Sequence, residues 1–369
     1  MRFGWRGALG VLLSVVLLWF AFHDVQWSQV AIEIRRANLG LLLLSAVAAT
    51  GIFPLRARRW RTILDPIAPK LPFSLLWRST AIGMMVSNVV PARAGELARA
   101  YALAREAPRV SFSAAFASIA VDRVFDTVVV LLLMFGAVLA PDFPGTGGAL
   151  VRRSATLGIA AIVVALVVFY CIVYFPTQII SLFELFARRV APRFEERGKA
   201  ALTSFASGLS VLRSPRRFAA VFCWALLHWL LNAFAFWLAF VAVGVPAPFS
   251  AALFVQAIIA IGVALPSSPG FFGPFELAGK LALGVYGVTE SVAVTWAVGF
   301  HILSFIPITL IGSYYFARLG LSMDEIRHAG DAGDGSGDGP PENRSGPPRA
   351  SSDGGARAIA PRSAKPPAA

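Results

Sequence analysis

Charged residues are scarce in this sequence: Asp, Glu, Lys and Arg make up 14% of 369 residues, against 57% hydrophobic ones. So few charges cannot cover the surface of a soluble domain of this size, which excludes the ordinary water-soluble enzyme. Cysteine is rarer still. Cys171 and Cys223 both fall in apolar stretches without a ligand-like spacing, and His23, His228, His301 and His328 are scattered. No metal site and no cofactor are expected from them. No glycine-rich loop ending in Lys and Ser or Thr occurs, so the chain is not expected to be an ATPase by itself. No nucleophile sits beside a base in a recognisable pattern, and enzyme activity is not expected.

What the chain has instead is long apolar blocks. Gly7–Phe22, Leu39–Leu55, Phe112–Ala140, Ala155–Phe175, Phe218–Val243 and Ser291–Ala317 read as full spans, most reaching the ~20 residues that cross a bilayer core. The first reads as an uncleaved signal-anchor, because Phe22-His23-Asp24 is no small-residue cleavage site. Two further blocks are interrupted. Thr80–Val90 is short and ends at Pro91, and Ser250–Tyr286 is broken by Pro266, Pro269, Gly270, Gly273 and Pro274. Proline removes a donor and clashes with the preceding turn, so neither can be one continuous helix. Broken backbone at membrane depth is tolerated only where protein or a cavity surrounds it.

The formal charge of +13 resides in stretches between these blocks, a distribution that orients membrane proteins and not one that binds nucleic acid. Arg56–Ser111 holds ten basic and three acidic residues and Thr177–Arg217 eight and three, while Gly244–Phe249 holds none. Positive segments stay inside, so the N-terminus, these two regions and the C-terminal tail are expected in the cytoplasm. Thr80–Val90 and Ser250–Tyr286 then become two re-entrant hairpins of opposite orientation. Thr177–Arg217 mixes apolar and basic residues and reads as a helix at the membrane surface. The expected fold is therefore all-α and polytopic, with about six full spans plus the two hairpins. It occupies residues 1–320, followed by a disordered tail over 321–369, where Gly, Pro, Ser and charges dominate.

The hairpins carry related motifs. The first ends in Asn88-Val-Val-Pro91-Ala-Arg93-Ala-Gly95-Glu96-Leu-Ala-Arg99, the second in Pro266-Ser-Ser-Pro269-Gly270-Phe-Phe-Gly273-Pro-Phe-Glu276. Each sets Pro, then Gly four residues on, then Glu at a fresh helix start. Inverted repeats with broken helices are a recurrent transporter plan, and helix N-termini bared by the breaks suit an anionic group. Inside the Phe112–Ala140 block, Asp122, Arg123 and Asp126 either mark a substrate path or pair internally, for example Arg123 with Glu96 or Glu276. His228 and His301 read as packed or hydrogen-bonded side chains and not as proton carriers.

The order Arg59-Trp60, Asn88-x-x-Pro91-x-Arg93-x-Gly95-Glu96-x-x-Arg99, Asp122-Arg123-x-x-Asp126 and Pro266-x-x-Pro269-Gly270-x-x-Gly273-x-x-Glu276 resembles the lysylphosphatidylglycerol synthase transmembrane-region family, also called flippase-like domain proteins. The resemblance spans roughly residues 5–320 and departs at Asp122, where the family usually has Glu. It implies movement of a phospholipid or lipid-linked envelope precursor between leaflets of a bacterial cytoplasmic membrane. Arg93, Arg99 and Arg123 would hold an anionic headgroup, with Asn88 in the same motif. Glu96, Asp122, Asp126 and Glu276 would balance them or hold a cationic one. The synthases' soluble aminoacyltransferase domain is not expected in the short tail. The alternative reading is a non-transporting scaffold or accessory subunit for an envelope-lipid biosynthetic enzyme, which would then be its partner.

Overall fold

The computed structural model describes residues 5–90, 94–144, 174–190, 214–264 and 269–326, with scattered positions between 153 and 167 and at 199 and 329. No strand occurs among them. Helices α1 (Trp5–Phe22) and α2 (Trp27–Arg36) are bent by 81° at residues 23–26. Then follow α3 (Leu39–Leu64), α4 (Phe73–Val89), α5 (Ala94–Glu106), α6 (Phe112–Val138), α7 (Pro176–Val190), α8 (Pro215–Ala242), α9 (Phe249–Gly262), a 3₁₀ turn (Pro269–Phe271), α10 (Pro274–Gly284) and α11 (Glu290–Arg318).

Local chemistry explains most boundaries. Asn38 Oδ1 accepts from Leu41 N–H at 3.1 Å and Ser111 Oγ from Ala114 N–H at 3.2 Å, capping α3 and α6. Pro215 and Pro274 stand in the first turns of α8 and α10, where no intrahelical N–H is needed. Gly273 starts α10 with φ +97°, and its N–H donates to Glu276 Oε2 at 2.7 Å.

Among the described residues, α3, α8 and α11 are long and apolar enough to cross a bilayer, and the bent α1–α2 pair could supply a fourth crossing. Helix α6 has the length, 27 residues, but holds Asp122, Arg123 and Asp126. Most of the expected span Ala155–Phe175 lies outside the described residues. The stretch 23–38 between the first two expected spans is mostly the helix α2. Two readings change. Arg56 and Arg59 are not charges of a stretch between spans. Helix α3 runs nine residues past the expected Leu55, and both arginines are buried in it. The boundary at 320/321 falls too early: Leu321 and Ile326 are buried in a cluster with Ile82, Val86, Ala98 and Ala102, and Glu325 pairs with Arg105 at 3.0 Å. The rest of the tail lies outside the described residues.

Both interrupted blocks form antiparallel helical hairpins. A Cβ on Gly83 of α4 would lie 2.7 Å from Arg99 Cβ and from the Gly95 carbonyl, and one on Gly95 would overlap Ser87 Oγ. Backbones approach this closely only where a residue at the contact lacks a side chain. Gly312 of α11 likewise meets the Ala81 carbonyl and Met85 of α4. In the second hairpin, a Cβ on Gly262 of α9 would lie 3.0 Å from Ala278 Cβ and 3.3 Å from the Pro274 carbonyl of α10. The 3₁₀ turn joining that hairpin rests on α4, so the two hairpins meet.

Candidate substrate cavity and its ion-pair network

On α3, Arg56 and Arg59 are three residues apart; on α6, Asp122 and Asp126 are four apart. Each pair therefore shares a helix face. Where α3 and α6 pack, Arg59 is fully buried with Nε 2.6 Å from Asp122 Oδ1 and Nη1 2.7 Å from Asp126 Oδ1. Arg99 of α5 adds Nη1 at 3.1 Å from Asp122 Oδ2 and lies 4.0 Å over the Trp60 ring, whose Nε1–H donates to Ser118 Oγ at 2.8 Å. On the outer side, Arg123 donates from Nε to Glu96 Oε1 at 2.6 Å and places Nη1 3.6 Å from Asp126 Oδ2. Asp126 also accepts from Trp229 Nε1–H at 2.9 Å, with His228 Nδ1 at 3.6 Å. Removing charges from water costs several kcal/mol per ion, about what such pairing must offset.

A second polar centre lies at the other hairpin. His301 Nδ1 is 2.6 Å from Glu276 Oε1, and His301 Nε2 donates to the Gly270 carbonyl at 2.8 Å. The ring is stacked between Phe272 and Phe275 at 4.5 and 4.4 Å. Because a carbonyl can only accept, Nε2 carries a hydrogen, and one further proton must lie in the Glu276–His301 bond. Through Gly270 and Gly273, Glu276 and His301 fix the break of this hairpin against α11.

A cavity of about 550 Å³ opens between the two centres. One part of its wall is polar, with Arg56, Glu96, Arg123 and Asp126. The rest is largely apolar, including Phe53, Leu131, Ile259, Phe275, Phe300 and Ile308. Of the residues singled out from the sequence, Asn88, Glu96, Arg123 and Asp126 line it, and Asn88 Nδ2 donates to Thr309 Oγ1 at 2.7 Å. Arg99 and Asp122 lie behind that wall as buried ion-pair partners. Glu276 lies behind His301, which does line the cavity. Gly95 sits at the glycine contact of the first hairpin; Pro269, Gly270 and Gly273 form the turn of the second, with Gly270 on the cavity wall. Arg93, Pro91 and Pro266 lie outside the described residues. Sequence reasoning missed Arg56, His301, Trp229, Asn232 and Gln256 as lining residues. The spacing of Arg56 and Arg59 directly after an apolar run was the signal available for the first.

Membrane-length apolar helices around a charge-lined internal cavity define a multi-pass integral membrane protein with a buried polar site. The chain belongs to the lysylphosphatidylglycerol synthase TM region family, which residues 7–312 match. It is 23% identical to a UPF0104 membrane protein of Pyrococcus horikoshii over 82% of this chain and 93% of that one. A UPF0104 membrane protein of Methanothermobacter thermautotrophicus is 24% identical over 87% and 95%. Glycosyltransferase AglD of Haloferax volcanii is 32% identical over 139 residues, which span 38% of this chain but only 22% of AglD.

Proposed function

We propose that this chain moves a phospholipid or lipid-linked envelope precursor between the leaflets of a bacterial cytoplasmic membrane, and is not an enzyme. The cavity carries the reading. Its polar wall suits a headgroup and its apolar wall a lipid tail, a combination that neither a soluble metabolite nor a bare ion needs. The name of AglD ties one relative to glycosyl transfer, so lipid-linked sugars belong among the substrates to be tested.

In this reading six spans cross fully, and the α4–α5 and α9–α10 hairpins enter from opposite faces, with the N-terminus and tail in the cytoplasm. Supporting it, the open end of the first hairpin is closed by Arg78–Glu106 ion pairing at 2.5 Å and flanked by Lys70, Arg105 and Arg109. The open end of the second is tied by Phe254 against Tyr286, and its flanking segments 244–249 and 288–289 carry no charge. Broken hairpins meeting at a central site match the inverted-repeat plan of secondary transporters.

Reconstitution into vesicles with fluorescent phosphatidylglycerol, phosphatidylethanolamine and polyprenyl-linked sugars, read by leaflet-selective quenching, tests this. At least one lipid should equilibrate faster than in protein-free vesicles. If none does, and a cavity-blocked Asn232→Trp variant still restores the envelope of a deletion strain, the chain serves as an accessory subunit of an envelope-lipid enzyme.

A further inference from the structure

Resting on the reading of this cavity as a lipid site, we infer that Arg56 is its anion anchor and that the ligand it takes is the phosphate of an anionic lipid headgroup. Charge comes first. Among the described residues the network holds four cations, Arg56, Arg59, Arg99 and Arg123, against three anions, Glu96, Asp122 and Asp126, a surplus of one positive charge. Glu276 and His301 add none: whether their shared proton rests on the ring or the carboxyl, the pair is neutral.

Geometry says where the surplus resides. Arg59 bridges two carboxylates, Arg99 has Asp122, and Arg123 has Glu96. Arg56 is left with Asp126 Oδ2 at 3.8 Å and the Met84 thioether at 3.6 Å, although it is only 7% exposed. Its Nε–H has no acceptor among the described residues. A guanidinium held this deep with so distant a counter-ion is stabilised by an anion that it can grip in two places.

A second donor points to the same ligand. Gln256 also lines the cavity and is buried; its Oε1 accepts from Asn232 Nδ2 at 3.0 Å, while its Nε2 has no acceptor. Two residues that line one cavity with a positive surplus, each keeping a buried donor with no acceptor among the described residues, call for an acceptor-rich anion. A phosphate offers only acceptor oxygens; a diacylglycerol offers no charge.

The test uses the purified full chain in neutral maltoside detergent, titrated with dioctanoyl-phosphatidylglycerol, dioctanoylglycerol and inorganic phosphate, with binding read by thermal shift. The anionic lipid should bind at least about tenfold tighter than the other two. Arg56→Gln should weaken it by about tenfold or more, and Arg56→Lys, which keeps the charge but loses the fork, by about threefold. Gln256→Glu keeps the acceptor for Asn232 and cancels the surplus charge, so it should weaken binding about tenfold with Arg56 intact. Should Arg56→Gln fail to fold, the other two variants decide. Unchanged affinity in the variants that fold overturns the assignment to Arg56; inorganic phosphate binding as tightly as the lipid overturns the lipid headgroup. Micelles have no leaflets, so binding without lipid movement in vesicles sinks the translocase reading alone, and movement with Arg56-independent binding sinks only this one.

Discussion

Arg59 reaches from α3 to grip Asp122 and Asp126 of α6 with a single guanidinium, at 2.6 and 2.7 Å, with no exposure of its own. The four-residue spacing of the two aspartates is what lets one planar fork meet both. Such an arrangement is structural before it is functional. Arg59→Ala leaves two buried carboxylates short of a partner and should cost about 3–5 kcal/mol. Detergent-solubilised protein should show a lower midpoint of unfolding and poor accumulation; an unchanged midpoint would mean that the pair is dispensable for folding.

Arg123 is a different case, because its side chain is 45% exposed and lines the cavity. Arg123→Gln should change stability by no more than about 1 kcal/mol, as for other accessible pairs. Lipid movement in vesicles should nevertheless fall severalfold. Equal losses of stability and movement would return Arg123 to a bracing role.

For Glu276 the outcome depends on which group replaces it. Glu276→Ala strands both the Gly273 N–H and the His301 ring, at about 1–3 kcal/mol for each buried group left unsatisfied. Glu276→Gln can still accept from Gly273 and donate to His301 Nδ1, so its unfolding midpoint should stay close to the parent's. If Gln proves as damaging as Ala, the pair is an imidazolium–carboxylate ion pair and not a neutral hydrogen bond.

Topology can be checked with single cysteines in a background lacking Cys171 and Cys223. Lys70, Arg109, Pro246 and Thr289 are all exposed. Cysteines at Lys70 and Arg109 should react with an impermeant thiol reagent from the cytoplasmic side, and those at Pro246 and Thr289 from the other. Labelling of Lys70 and Arg109 from opposite sides would make α4–α5 a full crossing and end the inverted-repeat argument.

Truncation separates the packed part of the C-terminus from the rest. Removal of everything after Leu321 takes away buried Ile326 and the Glu325–Arg105 pair, and should cost about 2–4 kcal/mol, chiefly for the lost apolar burial. A chain ending at Asp334 keeps both and should unfold with the full-length midpoint.

Much of this architecture was legible because lipid imposes simple rules. Apolar runs such as Phe218–Val243 and Ser291–Ala317 coincide with α8 and α11 within a few residues, and proline and glycine marked where the second hairpin breaks. Charge misled where it was buried. Arg56 and Arg59 were counted with the loops because hydropathy falls there, yet tertiary pairing with Asp122 and Asp126 carries α3 through them. The partners of Asp122 lie on other helices, and no local pattern names them. For His301 the sequence suggests a packed or hydrogen-bonded ring, as found, but not its partners: Glu276, 25 residues away, and a carbonyl freed at Gly270.

The glycine contacts of α4 bear on how this protein can move. Gly83 against Gly95 on one side, and Gly312 against Ala81 on the other, put main chain on main chain. At these points no room is left for a further side chain, so the helices fit into one another closely. Helices α4, α5 and α11 are therefore interlocked, with Asn88 and Thr309 hydrogen-bonded across the α4–α11 contact. If the cavity widens for a lipid as proposed, these three helices form the jamb against which the door swings.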